Sequence, residues 1–385
     1  MKSKSKGSLQ LFAMTAPGLE GLLAEELRQL NLPRGTTTPG GVSFTGTVAD
    51  VRRVNLWSRI ANRVIVRMDE FHASSFHELE RRAKRMDWAR FVSAGEQVRF
   101  RVTCKKSRLY HSDAVAERLA KAAERQLGAK KVEDETGDDV DDGGDAAGQL
   151  FIVRIAHDVC TVSADSSGAL LHRRGYRQAV AKAPLRETIA AAMLAGSEWD
   201  RVSPLVDPMC GSGTIAIEGA MMARQMAPGI GRRFAFENWP NHDADAWEDS
   251  IAAARESQLS KAPGPIIASD RDAGAVEAAK ANAARAGVEG DIEIGKHAVS
   301  AAEIPDQPGW IVTNPPYGLR VGESGPLRNL YSQLGKILRN RAHGYRMALL
   351  SADKLLDAQL RVELREVFRT TNGGIPVRLM MAGDG

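Results

Sequence analysis

An amide, two prolines and an aromatic ring stand in consecutive positions at Asn314, Pro315, Pro316 and Tyr317, inside the hexapeptide TNPPYG (313–318). Proline fixes backbone φ and glycine permits positive φ, so the stretch suits a plain chain reversal. It also follows WIVTN (310–314), an apolar, β-branched run that reads as a buried strand. The turn therefore falls at a strand's carboxyl end, the edge at which open α/β sheets bind ligands. Taken alone, these residues leave a surface turn and a ligand-holding role both open.

A second group of candidates lies upstream in LVDPMCGSGTIAIEGA, where Asp207 ends a strand and Gly211 and Gly213 open a helix. Such a turn lets a ligand approach the backbone and meet helix-terminal N–H groups. No G-K-[ST] follows, which disfavours triphosphate binding, and Ser212 lies directly between glycines, unlike a hydrolase nucleophile. A dinucleotide loop of the G-x-G-x-x-G/A type stays open, because position 216 is alanine. The next strand ends in SDRD, where Asp270 could accept both hydroxyls of a ribose or cap the following helix, and Asp272 reads as that helix's cap.

These residues sit in a chain of 385 residues, long enough for two or three domains. No run of about 18 apolar residues suggests a membrane span, and the amino terminus lacks a secretory apolar core. Cys104, Cys160 and Cys210 form no C-x-x-C pair, which fits a reducing cytoplasm and disfavours structural zinc; no metal is expected. Net charge is +4, but eight acids fall between Glu133 and Asp145, and without them the charge would be +12. That basic remainder, with clusters at 81–85, 104–108 and 171–177, points to a polyanion partner, against solvated charge as the bland alternative. The acidic stretch 133–147 reads as a loop insertion with little to bury, and its spacing does not match a calcium loop.

Hydrophobic periodicity predicts strands at LQLFAMT, GVSFTG and NRVIVRM, with helices over 18–30 and 48–60. A second α+β segment follows, with a strand over 97–104, a helix over 112–127 and strands around His157 and Asp158. From about 184 strands and helices alternate, which predicts a mostly parallel sheet. Its strands are expected at 204–209, 265–270, 292–296, 310–314 and 345–352, with helices over 213–226, 273–287 and 327–341. Two final apolar runs flank Asn372-Gly373-Gly374, a hairpin signal, so an antiparallel pair should close the sheet.

In this order, DPMCGSGT, ASDRD and TNPPYG, followed by a β-hairpin, resemble the class I S-adenosylmethionine-dependent methyltransferases that modify exocyclic amines. DSSGALLHRRGYR (165–177), APLRETIAAAML (183–194) and APGIGRRFAFENW (227–239) are similar to THUMP-domain RNA guanine-N2 methyltransferases, as is the K-S-x-L-Y-H stretch at Lys106 to His111. The resemblance covers nearly the whole chain and extends to the short bacterial type associated with large-subunit rRNA, a layout that transfer-RNA enzymes share.

The resemblance implies a Rossmann-like methyltransferase domain over 184–385, joined by a linker (166–183) to a ferredoxin-like domain (1–68) and a THUMP RNA-binding domain (69–165). It implies S-adenosylmethionine as cofactor, held by Asp207, Cys210, Gly211, Gly213, Asp270, His297 and Asn314, with Cys210 a small loop residue rather than a reactive thiol. The family often places an aspartate after the third strand to accept from the adenine amine; this chain has Lys296-His297-Ala298, leaving His297 or a backbone amide for that contact. The implied catalytic group is Asn314, Pro315, Pro316 and Tyr317. The Asn314 oxygen and the Pro315 carbonyl would accept the two N–H bonds of the target amine, and Tyr317 would stack on its base. Lys105, Lys106 and Arg108 are the candidate phosphate contacts. Alternatives are a tRNA guanine-N2 enzyme, a DNA adenine-N6 enzyme, disfavoured because no helix-turn-helix is evident, and a noncatalytic RNA-binding protein. Neither the RNA nor the oligomeric state is readable from these residues.

Overall fold

The computed structural model describes residues 7–132, 147–178, 185–317 and 324–383. The acidic insertion, apart from Ala147, and Gly318 of the hexapeptide lie outside the described residues, as do 179–184. The chain divides into two compact units: one comprises Met1–Thr15, Ala24–Leu171 and Arg232–Ile251, the other Ala16–Leu23, His172–Gly231 and Ala252–Gly385. Residues 232–251, read from sequence as part of the carboxyl-terminal domain, are thus grouped with the amino-terminal segments.

Elements run in chain order as β1 (Leu9–Met14), α1 (Glu20–Gln29), β2 (Thr36–Thr38), β3 (Gly41–Gly46), α2 (Val48–Trp57), β4 (Arg63–His72), α3 (Phe76–Ala83), β5 (Gln97–Lys105), α4 (Ser112–Leu127), β6 (Lys130–Lys131), β7 (Gln149–Ala156) and β8 (Val159–Asp165). Among the described residues these strands make one eight-stranded sheet, in the order β2-β3-β1-β4-β8-β7-β5-β6. The two segments read from sequence as separate small domains share that sheet, because β4 pairs antiparallel with β8 from Ile65↔Asp165 to His72↔Val159. A buried ion pair between Arg63 and Asp165 lies at one end of that seam.

The later elements are α5 (Glu187–Gly196), β9 (Leu205–Asp207), α6 (Thr214–Ala223), α7 (Ala244–Glu256), β10 (Ile266–Asp270), α8 (Ala273–Ala286), β11 (Ile292–Lys296), β12 (Trp310–Thr313), α9 (Ser324–Asn340), β13 (Arg346–Ser351), α10 (Lys354–Asp357), β14 (Arg365–Asn372) and β15 (Ile375–Ala382). Their sheet has the order β11-β10-β9-β12-β13-β15-β14, parallel through β13 and antiparallel at β15 and β14. This is the class I methyltransferase architecture expected from sequence.

Burial explains the sequence pattern. Ile311, Val312 and Thr313 of β12 and Met347 through Leu350 of β13 are wholly inaccessible, as strands covered on both faces must be. Helix α6 is buried all round and carries no charged stripe; its Gly219 lets it approach β9, since a Cβ there would lie 2.5 Å from Leu205 Cδ2. The β14–β15 turn is two residues long, with Asn372 opposite Ile375 and both Gly373 (φ +56°) and Gly374 (φ +82°) left-handed, the geometry that suits strand twist.

Helix α9 packs Tyr331, Leu334 and Ile337 into the core shared with β12 and β13. Gly335, on the same helix, faces the carbonyl of Leu360, which Arg339 Nη1 also bonds; a Cβ on Gly335 would sit 2.0 Å from that oxygen. Alanine would favour an isolated helix by about 1 kcal/mol, but backbone overlap of this kind costs about 1–3 kcal/mol or more. Gly335→Ala is therefore expected to lower the urea midpoint of unfolding without changing the slope. An unchanged or higher midpoint would show that Leu360 yields freely.

Candidate functional site

Parallel pairing brings the carboxyl ends of β9, β10 and β12 side by side, and the candidate residues lie at those ends. Ala268 pairs with Asp207, and Ile311 with Val206, so Asp207 leaves the sheet between its two neighbours. The Asp207 side chain is buried, and its Oδ1 accepts from the Thr313 hydroxyl at 2.7 Å and the Met209 N–H at 3.2 Å. Burial pushes this carboxyl up to about 7; the Thr313 and Met209 hydrogen bonds oppose the shift and the nearby Asp270 charge adds to it.

The loop after β9 folds back onto β10. Cys210 N–H donates to the Ser269 carbonyl at 2.9 Å, and Gly211 N–H donates to Asp270 Oδ2 at 3.0 Å. Asp270 Oδ1 accepts from Asp272 N–H, while Asp272 caps α8 through Gly274 N–H, the role its position implied. Burial, with Asp207 and Asp270 nearby, drives the Cys210 thiol far above its ordinary range, so the thiolate is disfavoured. Gly211 (φ +52°) has open space where a Cβ would point. Gly213 (φ +84°) does not: a Cβ there would lie 3.0 Å from that of Ala279, so the second glycine serves close packing against α8.

A buried polar chain supports this loop from behind. Asn282 on α8 is inaccessible and donates from Nδ2 to the Ser212 carbonyl at 3.0 Å. Arg285 donates to Asn282 Oδ1 and, through Nε, to the Tyr176 carbonyl at 2.7 Å. The Tyr176 hydroxyl and Arg174 Nε both reach Glu218 Oε1 on α6, at 3.2 and 3.4 Å. Arg177 pairs with Glu187 Oε2 at 2.8 Å and donates to the Leu185 carbonyl. The sequence RGYR thus enters the site as scaffolding.

Asn314 follows Thr313 and shares its strand end. Its Oδ1 accepts from the Tyr317 hydroxyl at 2.6 Å, and Tyr317 Oη accepts from Asn372 Nδ2 at 3.3 Å. Burial lifts the Tyr317 phenol up to about 12, against the Asn372 bond, which keeps it a donor at neutral pH. Pro316 offers its carbonyl to the Tyr331 hydroxyl at 3.4 Å. Asn372 belongs to the β14–β15 hairpin, and its buried Oδ1 has no hydrogen-bond partner among the described residues. An oxygen able to take a second donor at Asn314, near a glycine loop and two acids, can hold a polar ligand and orient an amine against it.

Of the residues named from sequence, Asp207, Cys210, Gly211, Gly213 and Asp270 come together directly, and Asn314 with Pro315, Pro316 and Tyr317 adjoins them through Thr313. His297 donates its N–H to the Asp270 carbonyl at 3.1 Å, while its ring folds over Gly295 with Nε2 3.6 Å from Glu303 Oε1. Lys105, Lys106 and Arg108 are exposed at the end of β5, in the other unit. Sequence pattern marks no role for Thr313, Asn282 or Glu218, and marks Asn372 as a turn residue only.

Comparisons with known proteins bear on the family and the fold. Residues 174–380 match the family described as RMKL-like, methyltransferase domain, and residues 10–65 match the RlmL ferredoxin-like domain. The protein named "Putative RNA methyltransferase slr0064" of Synechocystis is 34% identical over 96% of this chain and 95% of its own. The protein named ribosomal RNA large subunit methyltransferase K/L in Syntrophotalea carbinolica is 34% identical over 97% of this chain, which spans only 53% of that protein's length. Among solved structures, SMU.472 in its complex with SAH has a TM-score of 0.87 at 27% identity, covering 98% of each chain. A Listeria monocytogenes structure named as a predicted N6-adenine-specific DNA methylase has a TM-score of 0.84 at 31% identity, covering 97% of this chain and 96% of its own.

The raised Asp207 carboxyl carries a pH signature. A carboxyl whose folded value lies above its unfolded value of about 4 destabilises the fold when it ionises; the cost is absent below about pH 4 and complete above about 7. Asp207→Asn keeps an acceptor for Thr313 and Met209 and removes that ionisation. Relative to the parent, the variant is expected to gain stability between pH 5 and 8, by more than about 1 kcal/mol in urea titrations. A stability difference that stays constant across that range would contradict the assignment.

Proposed function

The chain belongs to the RMKL-like methyltransferase family, and from that premise we propose that it methylates the exocyclic N2 amine of a guanine in RNA, large-subunit ribosomal RNA being the substrate. The observation that carries the reading is the Thr313–Asp207 hydrogen bond, which couples the strand bearing Asn314 to the glycine loop. S-adenosylmethionine is the cofactor, and the loop fits it: Gly211 leaves open space beside the backbone, and Asp270 ends β10 with its carboxylate held by two backbone N–H groups. Bound there, it supplies an electrophilic methyl group on a sulfonium.

The remaining work belongs to the chain. Asp270 accepts from ribose hydroxyls, Asp207 in its ionised form attracts an ammonium group, and His297 or a backbone amide beside it meets the adenine. Asn314 Oδ1 and the Pro315 carbonyl accept the two N–H bonds of the guanine amine, which turns its lone pair away from conjugation with the ring. The prolines hold these acceptors still, and they also interact favourably with the positive charge that develops on nitrogen. Catalysis is then orientation plus electrostatics, with no buried general base required. Tyr317 offers a ring face to the base while its hydroxyl, tied to Asn372, steadies Asn314. A stacked base cannot reach such a pocket, so the target nucleotide is unpaired or extruded. The first unit, with Lys105, Lys106 and Arg108, supplies the RNA contacts.

Adenine-N6 methylation is the second reading, favoured by the name of the Listeria structure and by an N-P-P-Y sequence that suits any exocyclic amine. Purified protein, labelled cofactor and RNA from cells lacking the modification separate the two: nucleoside digests should contain N2-methylguanosine, and label confined to adenine or to DNA would reject the proposal. Asn314→Ala is expected to lower single-turnover methylation by roughly 100-fold or more while leaving cofactor affinity within about twofold, as loss of an oriented acceptor does. If that variant instead loses cofactor binding with unchanged chemistry, Asn314 serves the cofactor and not the base. Asn372→Ala should act through Tyr317, lowering kcat by about tenfold with KM for RNA little changed; a KM effect alone would place Asn372 in RNA binding.

A further inference from the structure

The loop leaving β5 is built rather than hanging. Asp158, in the β7–β8 turn, accepts the Arg108 N–H at Oδ1 (2.7 Å) and donates its own N–H to the Ser107 hydroxyl at 3.1 Å. Ser107 Oγ donates to the Lys105 carbonyl at 2.9 Å, which also receives the His157 N–H at 3.2 Å. His157 and Asp158 both adopt left-handed φ to make this turn, and Lys106 does so within the loop. Leu109 is buried and pins the loop's far side. What the loop presents outward is Lys105, Lys106, Arg108 and Tyr110, all exposed. The Tyr110 side chain belongs to a residue 69% exposed, the one aromatic among the large hydrophobic residues left exposed in the described chain. Its ring centroid lies 4.0 Å from that of His111 at a 41° tilt.

A tyrosine held on a fixed loop, backed by an imidazole and preceded by three cations within six residues, has the chemistry of a stacking platform for a base with its adjoining phosphates. Asp158 lies 3.9 Å from Arg108 Nε and Asp113 follows in the first turn of α4; with Lys105, Lys106 and Arg108 against these two acids the local charge is positive. A duplex offers no free base face, so such a platform selects unpaired nucleotides.

We propose that the Lys105–His111 loop binds one unpaired nucleotide of single-stranded RNA, with its base stacked on Tyr110 and the adjoining phosphates met by Lys106 and Arg108. The proposal rests on the reading of RNA as substrate and extends it, since Tyr110 belongs to neither the cofactor loop nor the amine site. Because Tyr110 is exposed, its replacement leaves the core untouched.

Fluorescence anisotropy with a labelled single-stranded 12-nucleotide RNA of mixed sequence, and with the same RNA in a duplex, tests it on the full chain. Tyr110→Ala should weaken single-strand binding by about tenfold and leave duplex binding within about twofold, while Tyr110→Phe and Tyr110→Trp restore the parent affinity. Lys106→Ala should weaken both probes and reduce the dependence of log affinity on log salt by about one. Unchanged single-strand affinity in Tyr110→Ala, or equal loss on both probes, overturns the platform even if the parent forms N2-methylguanosine. Tyr110-dependent binding without methylguanosine would instead uphold the platform and reject the proposed reaction. A parent that binds neither probe would overturn the platform.

Discussion

One hydrogen bond, from the Thr313 hydroxyl to Asp207 Oδ1, governs how the candidate site is assembled. It lies where solvent does not reach, between two strands that the sequence separates by about a hundred residues. In such a place an unmet polar group costs more than an exposed one, so both partners are held to their geometry. Asp207 fixes the start of the glycine loop and Thr313 immediately precedes Asn314. The bond therefore couples the part of the site suited to a cofactor to the part suited to an amine. Parallel pairing places β9 and β12 side by side, and the side-chain bond ties their ends together.

The glycine loop depends on a second set of buried polar groups, and these act in series. Asn282 holds the Ser212 carbonyl, Arg285 holds Asn282, and the Tyr176 carbonyl receives Arg285. Replacing one member leaves the next without its partner inside the protein, and because both ends of the chain are backbone carbonyls, no exchange of side chains for apolar ones removes their need for donors. The RGYR residues are thus coupled to the glycine loop through Arg285 and Asn282.

Much of the second unit was legible in the sequence, because strands covered on both faces read as apolar runs and the helices between them as amphipathic or wholly apolar segments. The strand over 292–296 and the helix over 112–127 were read with their observed limits, and the closing hairpin followed from two glycines after an asparagine. The glycine loop and the two aspartates were legible for a local reason: their chemistry lies within single short stretches. Thr313, Asn282 and Glu218 were not, since a threonine ending a strand or a polar residue on a helix acquires a role only when a distant segment lies against it. The shared eight-stranded sheet was hidden for the same reason, because no local pattern states which strand β4 will pair with. Helix α7 does not stand out in the sequence, because Trp247 and Ile251 are its only large apolar residues among acids and alanines.

The hairpin that closes the second sheet has a further property, one of parity. Along β14 burial alternates so that Phe368, Thr370 and Asn372 occupy the inward row, and Asn372 meets Tyr317 because it keeps step with Phe368 four residues earlier. Strand residues point to opposite faces in turn, so an odd-numbered insertion between Phe368 and Asn372 would send the amide outward while an even-numbered one would not. Only an even change of length here keeps the amide inward: the tip of a hairpin, ordinarily a tolerant place, is here a counting device whose zero is set by a phenylalanine in the core.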